Sequence, residues 1–339
     1  MSSEPPFVTV IMPVYNEEMF IRTALKSVLD QDYPADRVEV LVVDGGSHDR
    51  TPQIVQALAE DDSRVRLLHN PGRIQAQGLN IGLDAARGDV IVRMDGHTHI
   101  AVDYVSRCVH HLQATGADYV GGPLRFKGIT PVGQAIASAF RSPFCVPSRY
   151  RVKHTPGYVD MVYLGAWPRD VFDRVGHFNP ALAINEDYEL SYRIRKAGGR
   201  VYLAPDIHSH YYGRQSLAAL WRQFFRYGRW KLRMLAQHPA SVRPRQLAAP
   251  AFVATLIGGA LLAPVSRRIA RLWGLALLSY AIANLAASIQ RASRDGWRLL
   301  FRLPLVFACV HLAWGSGFLV EILARHNKQG AHHPERAVH

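Results

Sequence analysis

Asp95-Gly96-His97 sets a carboxylate and an imidazole two residues apart, on a turn that follows the apolar run Ile91-Val92-Arg93-Met94. Side chains so spaced can share one divalent cation if oxygens of a diphosphate complete its coordination. Asp and Gly also form plain turns, so the tripeptide alone is a weak sign. Asn185-Glu186-Asp187 brings paired carboxylates to the start of a helical stretch. One of them, Asp187 ahead of Glu186, can act as a general base toward a hydroxyl, although acids in a first turn also simply complement the helix dipole. Asp44-Gly45-Gly46-Ser47 joins a carboxylate that can accept a base N–H to a turn open enough for backbone to approach a ligand. An Asx-turn or helix cap is the ordinary use of such an Asp. His208-Ser209-His210 precedes a run, Tyr211 to Lys231, that mixes five Arg or Lys with seven aromatic residues. That mixture suits a membrane surface or single-stranded nucleic acid.

These residues need strands to carry them. Val8 to Glu18 and Val38 to Thr51 each read as a buried strand ending in turn-forming residues, with a helix-like stretch from Glu17 to Leu29 between. That is the opening βαβ of a parallel sheet, and ligands of open α/β sheets bind at the carboxyl ends of strands. Pro13, Tyr15, Glu17, Asp44 and Gly45 are therefore expected to line one crevice, suited to a nucleotide. A helix over Pro52 to Glu60, a strand ending at Asn70, a helix stopped by Gly88 and a strand delivering Asp95 follow. Further helices are expected over Asp103 to Thr115 and from Asn185, its N-cap, to Gly198. A strand is expected over Asp118 to Phe126, with loosely helical chain from Thr130 to Ser148. Repeated βαβα order implies an α/β domain with a mainly parallel sheet.

Charge divides the chain. Up to Gly199 there are 21 Lys and Arg against 23 Asp and Glu; from Arg200 onward there are 19 against 4. The basic part also holds three apolar stretches, Leu247 to Val265, Leu272 to Ile289 and Leu299 to Leu323, each near the roughly 20 residues of a bilayer-spanning helix. Basic clusters beside apolar segments suit anionic headgroups, so membrane and not nucleic acid is the expected partner. Buried helices of a second soluble domain are the alternative. Both interhelical loops are Arg-rich, so one segment is re-entrant or interfacial, or the positive-inside rule is broken once. The start, MSSEPPF, lacks basic and apolar signal regions, which leads us to expect no cleaved signal peptide and a catalytic part kept in the cytoplasm at the inner or cell membrane. Cys108, Cys145 and Cys309 are too scattered for a disulfide framework or zinc site. The expected domains are 1–235 with the sheet, 236–325 with about three membrane helices, and a tail, 326–339.

PVYNEE, VVDGGSHDRT, the stretch with Asn80, Gly82 and Gly88, the Asp95 turn, NEDYEL and QFFRYGRW occur in that order over residues 8 to 231. Together they resemble the family 2 glycosyltransferases of the GT-A fold, and RMDGHT, HYYGR and RYGRWK bring the membrane-attached succinoglycan-type members nearest. The resemblance implies an inverting transfer of sugar from a nucleoside-diphosphate donor, UDP-glucose or similar, to a hydroxyl of a lipid-linked saccharide. It implies Pro13, Tyr15, Glu17, Asp44, Gly45 and Arg73 at the nucleotide, Asp95, His97 and His210 at a divalent cation (Mn²⁺ or Mg²⁺), and Asp187 as base. Gln223 and Arg226 match its Q-x-x-R element, and Tyr227 stands where Trp is usual, which favours single-sugar addition over processive synthesis. Transfer directly to polyprenyl phosphate, or a non-catalytic sensor of nucleotide sugar at the membrane, are the competing readings.

Overall fold

The computed structural model describes residues 4–146 and 155–330, with side chains to 326. The chain forms two compact units, one of 1–127 with 148–212 and one of 128–147 with 213–339.

The first unit is built on β1 (Val8–Val14) and β2 (Val38–Asp44), whose β-branched runs are buried on both faces, as a parallel sheet covered on both sides requires. Their register runs from Val8 opposite Val38 to Val14 opposite Asp44, so both strands end level. β3 (Val65–His69) joins parallel to β2, and β4 (Val90–Arg93) joins parallel to β1 with Arg93 opposite Ile11. Beyond β4 the direction alternates. β9 (Tyr163–Pro168) runs antiparallel to β4 and to β6 (Tyr119–Gly122), β10 (Val201–Leu203) is parallel to β6, and β8 (Gly157–Tyr158) closes that edge antiparallel to β10. A separate sheet has the order β5 (Thr98–Ile100), β11 (Ser209–Tyr212), β7 (Arg125–Lys127). One continuous core includes Val10, Val40 and Val92 from the strands, Leu25 and Val28 from α1 (Ile21–Leu29), and Val105 and Cys108 from α4 (Tyr104–Thr115).

Several boundaries differ from those expected. The helix after β1 begins at Ile21, because Glu17 to Phe20 make a turn in which Glu17 O accepts from the N–H groups of Phe20 and Ile21. The helix over α3 (Gln75–Ala85) stops before Gly88. Gly88 is instead where the chain presses on β1, since a Cβ there would lie 2.5 Å from the Thr9 nitrogen. The strand expected over 118–126 is two strands in different sheets, parted by Pro123 and Leu124, with Gly122 pressed on the Ile207 carbonyl. Asn185 does precede α7 (Glu186–Lys196), but with φ 72° and no side-chain cap. An N-cap side chain reaches the first-turn N–H groups from an extended backbone, which this left-handed residue lacks.

The second unit holds α5 (Pro131–Ala139), α8 (Leu217–Gln237), α9 (Pro244–Leu262), α10 (Arg267–Asp295) and α11 (Leu303–Gly330). Residues 213–235, expected with the sheet, belong here. α8 lies close along α11 because Gly228 meets the Trp314 carbonyl and Gly317 meets the Phe225 carbonyl, contacts that a Cβ would block. Small residues allow such approach between apolar helices. Glu321 of α11, 4% exposed, accepts from Arg229 Nε at 2.9 Å and Arg233 Nε at 2.6 Å. Pro244–Leu262, Arg267–Asp295 and Leu303–His326 are long and apolar enough to cross a membrane. Leu272, Leu275, Leu278, Ile282, Leu285 and Ile289 of α10 are exposed at helical spacing, an apolar stripe suited to lipid. The expected tail lies outside the described residues from 331 onward, α11 running on to Gly330.

Candidate functional site

The turns after β1 and β2 are joined across their tips. Asn16 N–H donates to Ser47 Oγ at 2.8 Å, His48 N–H to Asn16 Oδ1 at 2.9 Å, and Glu17 N–H to Thr51 Oγ1 at 2.8 Å. Asn16 reaches this geometry with φ 54°, which Asn tolerates better than most residues. Asp44 holds its own turn: Oδ2 accepts from Gly46 N–H and Ser47 N–H, each at 3.0 Å, and Oδ1 accepts from the Ser47 hydroxyl at 2.6 Å. The ordinary Asx-turn use of this residue is therefore real, and Oδ1 can accept one bond more. Tyr15 is exposed beside it, its ring edge-on to His48, and Gly45 lies between the Tyr15 ring and Arg73. Arg73, at φ 58°, lays its guanidinium along Gly46. Pro13 packs under Gly78 of α3. Tyr15, Asp44, Gly45 and Arg73 thus meet at the level ends of β1 and β2.

Two strand spacings away from β2, about 10 Å, β4 delivers a cluster of charge. Asp95 Oδ1 accepts from Arg93 Nε at 3.2 Å and from Gln75 Nε2 at 3.3 Å. Arg93 Nη1 donates to Glu186 Oε1 at 3.1 Å. All three are nearly out of solvent, at 7% for Arg93, 8% for Asp95 and 4% for Glu186. Burial opposes the charge of Arg93, yet Asp95, Glu186 and Asp187 together hold its pKa above the ordinary range. Burial, followed by the neighbouring Asp187 charge, pushes Glu186 up to about 7, with Arg93 pulling the other way. Glu186 is a partner of Arg93, not an open base. Asp187, half-buried in the first turn of α7, is the acid of this pair left toward solvent. Its Oδ1 accepts from Tyr188 N–H at 2.7 Å.

Arg93 and Gln75 were not among the residues singled out from sequence. Arg93 had a signal: a cation inside an apolar parallel strand must find carboxylates. Gln75 had none, being an ordinary residue at a helix start.

His97 stands apart from Asp95 in its bonding. Its Nδ1 meets Glu17 Oε1 at 2.6 Å, and its ring is edge-on to Tyr211 at 5.2 Å. Glu17, expected at the nucleotide, is engaged with this imidazole. Gly96 permits the contact, since a Cβ there would lie 2.9 Å from Val14 Cγ1 and 3.1 Å from Glu17 Cγ. His210, expected as a third metal contact, is removed from that set. It precedes Tyr211 by one residue in the strand, so it faces the opposite side of β11 from the ring that touches His97. Burial, then Lys127, Arg125, His99 and His208, depress it to about 4. Gln223 and Arg226 belong to α8 of the second unit, where Gln223 Nε2 donates to the Tyr227 hydroxyl at 2.9 Å and Arg226 is exposed.

Among the described residues no three His, Cys, Asp or Glu converge as a cation cage. Asp95 does present Oδ2 at a strand end, its Oδ1 being taken by Arg93 and Gln75. With Nδ1 of His97 facing Glu17, a cation would have to be taken by Nε2. One carboxylate and one imidazole fit a divalent ion whose other ligands are substrate oxygens, the usual pattern for diphosphate substrates.

The model of the family described as Glycosyl transferase family 2 matches residues 9–176. The succinoglycan biosynthesis protein ExoA of Rhizobium meliloti is 32% identical over 328 residues, covering 93% of this chain and 94% of that protein. A dolichyl N-acetyl-alpha-D-glucosaminyl phosphate 3-beta-D-2,3-diacetamido-2,3-dideoxy-beta-D-glucuronosyltransferase of Methanococcus voltae is 24% identical over 230 residues, covering 66% of this chain and 72% of that protein. In fold, the chain is similar to the mannosyltransferase PcManGT of Pyrobaculum calidifontis, solved with GDP-Man and Mn²⁺, at TM-score 0.64 and 21% identity, covering 95% and 89% of the two chains. The mainly parallel sheet is that of the GT-A fold, as expected. With a relative at this identity matched almost end to end, the chain belongs to glycosyl transferase family 2.

Proposed function

We propose that this glycosyltransferase moves a sugar, with inversion, from a nucleoside-diphosphate sugar to a hydroxyl of a lipid-linked saccharide in envelope or exopolysaccharide synthesis. The observation that carries the reading is the gathering of Asp95, Glu186 and Asp187 around the buried Arg93, at the ends of the strands. The donor's base is read at Tyr15, Asp44 and Arg73, and its diphosphate toward Asp95 and His97. Support for a donor of this class comes from the GDP-Man in the similar mannosyltransferase, and for a lipid-linked acceptor from the activity for which the Methanococcus relative is named.

The chemistry divides among the residues. Arg93 fixes Asp95 through Oδ1, leaving Oδ2 for the donor side, and through Glu186 it fixes the start of α7. Glu17 holds the His97 ring in one orientation. Asp187 takes the proton of the acceptor hydroxyl as its oxygen attacks the anomeric carbon opposite the departing diphosphate. Asp95 and His97 would hold a divalent cation brought with the donor, which would supply electrostatic stabilisation of the negative charge on that leaving group.

Asp187→Asn tests the reading. Transfer should fall about a hundredfold to ten-thousandfold while nucleotide affinity, measured by calorimetry, stays near that of the parent. Near-normal turnover would refute the assignment of the base, and sustained transfer to polyprenyl phosphate itself would favour the competing reading. For the cation, Asp95→Ala should abolish the gain in UDP or GDP affinity that Mn²⁺ confers on the parent. Nucleotide binding indifferent to Mn²⁺ in both proteins removes the metal from the account.

A further inference from the structure

The small sheet carries an aromatic face and a face where basic groups gather beside Tyr212, whose ring stacks on Phe20 at 5.9 Å. On one, Tyr211 meets His97, Phe126 and Tyr163 ring to ring, and Thr98 bonds the Tyr163 hydroxyl at 2.8 Å. On the other, His210 is the register partner of both His99 on β5 and Arg125 on β7. Strand alternation adds Lys127 and His208 to that second face, and both, with Arg125 and His99, act electrostatically on His210.

Two neighbours on this face hold buried nitrogens with no hydrogen-bond partner among the described residues: His210 Nδ1 and Arg125 Nε. Arg125 donates only once, from Nη2 to the Pro205 carbonyl at 3.1 Å, and makes no ion pair among the described residues. Buried nitrogens left unpaired cost stability, so such a pair in register calls for an acceptor. A phosphoryl group offers several oxygens and a charge that matches Arg and Lys. Both crossings into the unit with the apolar helices, after Lys127 and after Tyr212, leave from this sheet.

We propose that the face bearing His99, Arg125, Lys127, His208 and His210 binds the phosphate or diphosphate that anchors the acceptor saccharide to its lipid. This rests on the lipid-linked acceptor proposed above. Bilayer headgroups offer related chemistry, but the orphaned nitrogens of His210 and Arg125 need one oxygen at a fixed place, which a diffuse anionic surface does not give. The donor diphosphate and this phosphate then lie on opposite faces of one sheet. The reacting hydroxyl accordingly belongs to a sugar and not to the phosphate.

The test uses the full chain in phosphatidylcholine nanodiscs, with Arg125→Gln and Lys127→Gln made singly and together. Two acceptors carry the same saccharide, one on a prenyl diphosphate and one as a phosphate-free alkyl glycoside. The double variant should raise KM for the first about tenfold or more, while KM for the second, donor KM and kcat stay unchanged. Equal loss on both acceptors, or loss on neither, overturns the proposal. Arg125→Lys, which keeps the charge, should recover part of the effect. If the parent transfers sugar to no lipid-linked saccharide, the functional reading fails by itself, and calorimetry with farnesyl diphosphate in the absence of divalent cation decides the site: weaker binding in the double variant supports it, equal binding ends it. A defect confined to retention on vesicles containing phosphatidylglycerol would assign the face to bilayer headgroups and also overturn the proposal.

Discussion

Arg93 is a cation placed where water cannot solvate it, and the carboxylates around it answer for that burial. The arrangement has a measurable sign. Glu186 stands at about 7 against an ordinary 4.5, so the folded chain favours its protonated form. That preference adds stability below the unfolded value and is lost as pH rises through the folded one. Between pH of about 4.5 and about 7, the melting midpoint of the parent should therefore fall relative to that of Glu186→Gln; parallel curves would contradict the shift. At this scale the sequence pointed to residues that the structure gathers, but not to what each one bonds. Asp95 and Asp187 lie with Arg93 as one cluster, but Glu17 turned out to hold His97, and Asp44 its own turn. Pairing of side chains is decided by strand order and register, and nothing in a linear motif states that β4 lies beside β1. The side that His210 takes has the same origin, since its face of β11 depends on which strands flank it.

The strands themselves were legible because β1, β2 and β4 are short β-branched runs that end in turn residues. Helix ends were less so. Gly88 looks like a stop signal, yet its task is to let the chain touch Thr9, and a close approach leaves the same letter in the sequence as a cap. Gly82 works similarly within α3: a Cβ there would lie 2.4 Å from Ile11 Cγ2. Gly82→Ala must push α3 off β1 or force Ile11 from its rotamer, at a cost of about 1–3 kcal/mol. Because α3 carries Gln75, which bonds Asp95, the variant should lose both thermal stability and donor affinity. A loss of stability alone, with donor affinity intact, would show that α3 does not tune the site.

At the scale of the molecule, the three apolar helices were visible from length and composition, and their bounds moved by only a few residues. What composition hid is that α8, basic and aromatic along its length, joins α11 through glycine contacts and the Glu321 ion pairs. A charge in the middle of an apolar stretch does not say which Arg it meets. The first unit is moreover discontinuous, returning at 148 after an excursion through 128–147. In that excursion Ile136 is 1% exposed, the Phe140 ring stacks on Phe224 of α8 at 5.5 Å, and Phe144 packs edge-on to Phe307 of α11 at 5.3 Å. A single cut after Tyr212 cannot liberate a soluble catalytic fragment, for it strands this apolar segment without the surfaces that shield it. Such a truncate should precipitate, and one whose residues 128–147 are also replaced by a short polar bridge should stay in solution and still bind nucleotide. Surgery on this enzyme has to respect three seams in the polypeptide, not one.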